Sequence, residues 1–355
     1  MKTRKLDIEI RATLTAVQPL SFTLPDVGFP IMTRMTATGE EKTAYIPATS
    51  IRGRLRRCAW SEVAEALAAA DKPASLDAFY MSAIGQTRES EQEQEKVELL
   101  QIEAARAENP IASLFGSGLG LASKLQVSMA VPNTAVLPQE IRGVRKDISS
   151  EELDALAKDA EKDWVERATA NSARSKASGK AEKLSRDIYK LKQKGADVEK
   201  IAALEKDLQK VRVAEATATA DAGSAVSTLM PIGYQAIPSG TEFNLTMRAR
   251  GATVNEVGIL LRALDRFSLN PVLGAQTARG CGEVAMQCSL RVRDVSAERW
   301  TDAGTIKVGG FERSVVKAQG SIVEEALAAQ REMIGKATSY SWAPKGSKSP
   351  SKRAA

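Results

Sequence analysis

Histidine is absent from all 355 residues. That removes the Ser–His and Cys–His nucleophiles, imidazole acid–base chemistry and His-ligated metals. Carboxylates, lysine and tyrosine still leave some enzymatic routes open. Cysteine occurs only as Cys58, Cys281 and Cys288, too few and too scattered for a disulfide framework or a zinc site, and a usage that fits a reducing interior. Aromatic residues make up 5% of the chain, which weakens any reading built on rows of base-stacking rings. No apolar run approaches the roughly 20 residues of a membrane-spanning helix. The basic, then alternating opening MKTRKLDIEIR has no apolar stretch of signal-peptide length. The composition therefore predicts a soluble, cytoplasmic protein with no membrane partner and no bound cofactor.

Positive charge is present, and it is concentrated. The net charge is +6, yet residues 171–194 alone hold eight cations (Arg174, Lys176, Lys180, Lys183, Arg186, Lys190, Lys192 and Lys194) against Glu182 and Asp187. The tail beyond Trp342 adds Lys345, Lys348, Lys352 and Arg353 with no acid, leaving the remainder net negative. A polyanion is the natural partner of two such clusters, with a solvated helix face and a disordered tail as the bland alternative.

Periodicity divides the rest. Residues 6–15 (LDIEIRATLT) alternate as a strand with one buried face, and 43–47 form a short second apolar stretch. Ser50 stands as the N-cap of a helix over 51–70, with Ile51, Leu55, Ala59, Val63 and Leu67 in one stripe. Residues 71–109 read as an acidic, Gln-rich surface insert, 109–120 as a turn-rich connector and 123–132 as a strand. Residues 149–217, without proline, read as two antiparallel helices broken at 194–197 (KGAD). Strand alternation resumes at 241–248, an amphipathic helix follows over 255–267, and a strand over 283–292 closes the series. The remainder reads as a mixed extension, helical around 321–334. With insertions removed, the order β, β, α, β, β, α, β predicts an α+β fold: a sheet covered on one side by two helices, in an RRM-like (ferredoxin-like, split βαβ) arrangement.

Two segments carry the functional signal. In YIPATSIRGRLRR (45–57), a strand turns into a helix whose first turns hold Ser50, Arg52, Gly53, Arg54, Arg56 and Arg57. Free N–H groups, a glycine without Cβ and grouped guanidinium ions make such a helix start a candidate phosphate site, against the alternative of a capped helix with a solvated basic face. In LGAQTARGCGEV (273–284), Gly274, Gly280 and Gly282 free the backbone around Gln276 and Arg279. A tight surface turn would account for it as well. Its helix–glycines–strand order is the reverse of dinucleotide-binding folds, and it lacks the Gly-Lys-Ser/Thr of a P-loop.

Together these segments resemble the RAMP superfamily of CRISPR proteins, and in particular the Cas-seven-type backbone subunits of multisubunit effector complexes. The resemblance rests on Ile46 to Arg56 opening the first helix, Leu114-Phe115-Gly116 before a strand, Gln235 to Phe243 (QAIPSGTEF), and the glycine-rich loop 273–284 before the last strand. It implies a guide-RNA-binding subunit that polymerises head to tail, meets its target nucleic acid through guide pairing, and joins other CRISPR effector subunits. It also implies a palm over 1–70, 123–132 and 231–298, and a finger-like helical insertion over 71–122. A thumb would occupy 133–230, with the hairpin 149–217 inside it, and 299–355 would be a C-terminal extension with its basic tail. In that thumb Arg142, Arg145 and Lys146 are the candidate RNA contacts, and Met230 and Ile232 read either as apolar wedges between bases or as buried core residues.

Type III relatives cut target RNA with an aspartate after the first strand. Here Gly28 stands at that place, in Val27-Gly28-Phe29-Pro30, and Asp26 precedes it by two residues. The missing acid and the long hairpin point to a type IV-like, non-catalytic subunit. A type III-like endoribonuclease using Asp26 and a divalent metal is the enzymatic alternative, and a protein-interaction module with incidental RNA binding is the third.

Overall fold

A computed structural model of the chain describes residues 4–22, 33–35, 42–86, 102–118, 120–146, 155, 158–193, 198–222, 229–309, 316–318 and 321–343. It forms two compact units, Met1–Glu140 with Tyr234–Ala355, and Ile141–Gly233. The larger unit is α+β and built on an antiparallel sheet.

β1 (Lys5–Ala16) is the sheet's central strand. Its Leu6, Ile8, Ile10 and Leu14 are essentially without solvent exposure, as period-two alternation requires of one face. Two short strands, β2 (Thr33–Met35) and β3 (Lys42–Ala44), pair with each other outside the main sheet. α1 (Ala48–Ala69) buries the stripe Ile51, Leu55, Ala59, Val63 and Leu67 expected of it. Its start differs from the expectation: the chain enters the helix at Pro47, Ser50 lies inside the first turn, and no side chain caps the end. Proline pre-sets a helix-compatible φ, so the chain turns without a hydroxyl cap.

Three short helices follow: α2 (Leu76–Phe79), which runs into a π-helical turn at Tyr80–Ile84, then α3 (Ile102–Glu108) and α4 (Pro110–Phe115). α4 occupies what reads in sequence as a connector, because the Asn109 side chain accepts from Ala112 N–H and caps it. β4 (Leu125–Val127) and β5 (Val131–Pro132) both pair with β8 (Glu242–Thr253). The smaller unit holds most of β6 (Gln139–Lys146) and of its partner β7 (Leu229–Ala236), and between them α5 (Lys158–Gln193) and α6 (Val198–Ala222). The two helices flank residues 194–197, where the sequence predicts a break.

α7 (Val254–Leu269) is opened by a capping box in which Thr253 and Glu256 bond each other's backbone N–H. β9 (Val284–Asp294) then returns beside β1, so that Ile10 lies opposite both Met247 and Leu290. The chain goes on to add β10 (Thr301–Val308) and β11 (Val316–Ala318), giving the order β11-β10-β9-β1-β8-β4. These two outer strands were not expected. α8 (Ser321–Gly335) packs on α7, where Gly258 brings the helices so close that a Cβ there would meet the Ala326 carbonyl. The helical cover is therefore three long helices and not two. Among the described residues no helix is long and apolar enough to cross a membrane.

Candidate nucleic-acid interface

The two segments singled out in sequence, more than two hundred positions apart, form one open groove of about 850 Å³. One wall is the start of α1, contributing Pro47, Thr49, Ser50, Gly53, Arg54 and Arg57. The other is the end of α7 and the glycine-rich loop, contributing Asn270, Val272 to Ala275, Thr277 and Ala278, while Ser21 and Phe22 complete the lining. Among the described residues no lining side chain carries a carboxylate. Nor does the first turn of α1, so the positive end of that helix is left unneutralised.

The loop is shaped from within. Gly274 (φ +87°) and Gly282 (φ +105°) lie in the left-handed region. A Cβ at Gly274 would strike the Ser21 carbonyl, and one at Gly282 would sit 2.7 Å from the Leu273 oxygen. Both glycines thus have a structural reason: Ala275 N–H donates to the Ser21 oxygen (2.7 Å) and Gly282 N–H to the Pro19 oxygen (2.9 Å), tying the loop to the strand end. Below, the Tyr234 hydroxyl and Cys281 Sγ lie 3.3 Å apart, and that hydrogen bond, with burial behind it, pushes the phenol above its ordinary range. At the loop's crest a short turn, Thr277–Arg279, presents an exposed Arg279 whose Nη1 donates to Gln276 Oε1 (2.7 Å). Gln276 holds φ +60°, rare for a residue with a side chain.

Gly53 is different. It sits in a helix interior, its φ is ordinary, and a Cβ built on it meets nothing within 4 Å. The fold gives no reason for a glycine there, although it costs roughly 0.5–1 kcal/mol relative to alanine. It leaves a smooth backbone patch on the groove wall between two arginines.

The three arginines around it, Arg52, Arg54 and Arg57, differ in placement. Arg54 reaches across to the Asn270 carbonyl (Nη2–O 2.9 Å) and lies 6.0 Å from the Phe267 ring centre, so it ties α1 to α7 beneath the groove. Arg57 is exposed on the lining. Arg52 is half-buried and does not line the groove.

Arg56 overturns its sequence reading. It is 6% exposed, and its Nε and Nη2 donate to the carbonyls of Ser82 (2.7 Å) and Met81 (2.6 Å). It thereby satisfies the negative end of the π-helical turn. Gly85 follows in left-handed geometry, and any side chain there would collide with the Arg56 guanidinium. Burial, together with the nearby Arg52 charge, pushes this guanidinium down to about 10. Position in the wheel decides the matter: Arg56 falls beside the buried stripe, where Arg57 does not.

At the opposite end of α7, where the helix starts, lies a polar cluster with no sequence signal of its own. Glu256, 2% exposed, pairs with Lys124 (2.7 Å) and accepts from the Ser113 hydroxyl, while Arg106 donates to the Ser113 carbonyl (2.8 Å). Ser21, Phe22 and Asn270 were missed too, because nothing in their local sequence distinguishes them from ordinary strand and helix ends. Arg142, Arg145 and Lys146 lie on β6 of the smaller unit, with Arg142 exposed. Asp26, Gly28 and the basic tail lie outside the described residues. Among the described residues no group of three His, Cys, Asp or Glu side chains is placed to hold a metal.

A model of the RAMP superfamily matches residues 30–285. The chain belongs to that superfamily. The RAMP match takes in both groove walls and stops at the first residues of β9, leaving β10, β11 and α8 as additions beyond it. Comparison with curated proteins found no match. Among solved structures, a chain from a "Type IV-B CRISPR Complex" is similar over 82% of this RAMP chain and 92% of its own length, at 14% identity and a TM-score of 0.39.

Proposed function

We propose that this protein is a non-catalytic backbone subunit of a type IV-like CRISPR effector complex, holding the sugar–phosphate chain of a single-stranded guide RNA. The observation that carries the reading is the groove. Its two walls join a helix start without acids to a glycine-rich loop, with Arg57 on the lining and a glycine, Gly53, that the fold itself does not need. Such a surface contacts phosphates and leaves bases free to pair, so sequence is read by guide–target pairing and not by the protein. The order β9-β1-β8-β4, with α1 and α7 as the two crossovers, supports an RRM-like palm. In the same reading copies of the chain polymerise head to tail along the guide beside other effector subunits. Arg142, Arg145 and Lys146 are the thumb's contacts to the RNA, and Arg52 and Arg279 flank the groove.

Titration of single-stranded RNA across a range of salt concentrations tests this. Each phosphate contact contributes about 0.7 to the slope of log affinity against log salt for a single strand. The double variant Arg57→Gln/Arg279→Gln is expected to bind at least tenfold more weakly with a shallower slope. Unchanged affinity and slope would reject the groove as the RNA site.

A further inference from the structure

The glycine-rich loop enters the left-handed region of backbone space at four positions. Three are glycines, Gly274, Gly280 and Gly282, and the fourth is Gln276, at φ +60° and ψ +27°. In that region a Cβ crowds the following carbonyl oxygen. Glycine avoids the clash, and Asn or Asp offset it through short side chains that bond the local backbone. Gln276 does neither. Its side chain makes no cap hydrogen bond to the turn Thr277–Arg279 that it opens. Among the described residues its one side-chain hydrogen bond is to Arg279, whose Nη1 donates to Gln276 Oε1 at 2.7 Å.

The turn does not need that side chain. Its closure is made by the backbone, where Arg279 N–H donates to the Gln276 carbonyl (2.9 Å) and Gly280 N–H to the Thr277 carbonyl (3.3 Å). Glycine at 276 would build the same turn with less strain, as it does at the other three positions. Gly53 shows the converse, a glycine where the helix favours a side chain. At 276 a side chain stands where the fold favours none, and what it holds is a guanidinium.

Arg279 is exposed, and among the described residues Gln276 is its one side-chain partner. The bond occupies Nη1 and leaves the Nε–Nη2 edge, the side-on fork whose two N–H groups match two phosphate oxygens at once. A free arginine loses side-chain entropy when it binds, and one already held has less to lose. On the groove reading proposed above, we infer that Gln276 is a positioning residue. It acts through Arg279, setting that guanidinium in advance to take a phosphate of the RNA backbone on its Nε–Nη2 edge. Gln276 itself makes no contact with the RNA.

The test is a double-mutant cycle on the full-length chain, read by fluorescence anisotropy with single-stranded oligouridine, beside chemical denaturation of each variant. Gln276→Gly removes the strain and the clamp together. It should raise the denaturation midpoint and weaken RNA binding about three- to tenfold, the cost of ordering one long side chain. Gln276→Met keeps the strain and the bulk but has no oxygen to accept the bond. It should leave the midpoint unchanged and weaken binding to the same extent. In both variants the salt slope stays that of wild type, since the Arg279 charge is still delivered, whereas Arg279→Gln lowers it by about 0.7. In the Arg279→Gln background either change at 276 should alter affinity by less than about twofold. Additive losses would show that Gln276 touches the RNA itself and overturn the clamp. A loss that tracks a lowered midpoint in Gln276→Met assigns the residue to the fold and overturns it as well. If Arg279→Gln weakens binding and neither change at 276 does, the clamp alone falls and the groove stands. If Arg279→Gln leaves affinity unchanged, Arg279 is no part of the RNA site and the clamp falls with it.

Discussion

At Gly53 stability and the proposed RNA contact pull in opposite directions. Its Cβ position is open, so alanine should stabilise α1 by about 0.5–1 kcal/mol. The same methyl would stand where a phosphate has to approach the groove wall. Gly53→Ala is therefore expected to raise the denaturation midpoint while weakening RNA binding, and a lowered midpoint would show that the glycine has an internal role. Arg56 and Arg57 make a second contrast between adjacent residues. Removing Arg56 strands two buried carbonyls, and Arg56→Met should cost about 2–4 kcal/mol by chemical denaturation. Arg57→Met should leave stability within about 0.5 kcal/mol, since that side chain is exposed. The sequence shows a cluster of arginines but not which of them the π-helical turn consumes, because residues 80–85 are distant in sequence and carry no charge to advertise the contact.

Elements were legible where their period was clean. The stripes of α1 and α7 are read directly from four-residue recurrence, and all of Val257, Leu260, Leu261, Leu264 and Phe267 are buried. β10 was not legible because a bulge between Asp302 and Gly304 shifts its register, so Ala303 and Ile306, both buried, are three apart and not an even number. The N-cap expected at Ser50 fails because that hydroxyl stands three residues past the true cap position, Pro47. The cap of α7 is a true hydroxyl cap, and Thr253→Ala should cost about 1 kcal/mol. The sheet's outer face also predicts a pH response. The hydrogen bond from Arg248, aided by the Arg11 charge, holds Glu9 below its ordinary range. A carboxylate with a lowered folded value contributes stability above its unfolded value, and that contribution is lost as pH falls through the folded one. Glu9→Gln should therefore be less stable than wild type at pH 7, with the gap closing as pH falls below the ordinary carboxylate range.

At the scale of the whole molecule, what sequence order brings together is the groove: segments 46–57 and 273–284 meet because α1 and α7 cover the same sheet. Neither segment alone distinguishes a phosphate site from a capped helix or a tight turn. Their meeting in a groove whose described lining holds no carboxylate is what supports the proposed phosphate site. The most direct measurement is cryo-electron microscopy of the full chain purified together with its bound RNA. The account predicts consecutive phosphates of a single strand lying between the start of α1, at Gly53 and Arg57, and the crest of the loop at Gly280. RNA bound elsewhere with that groove empty, or a chain that purifies without RNA, would contradict it.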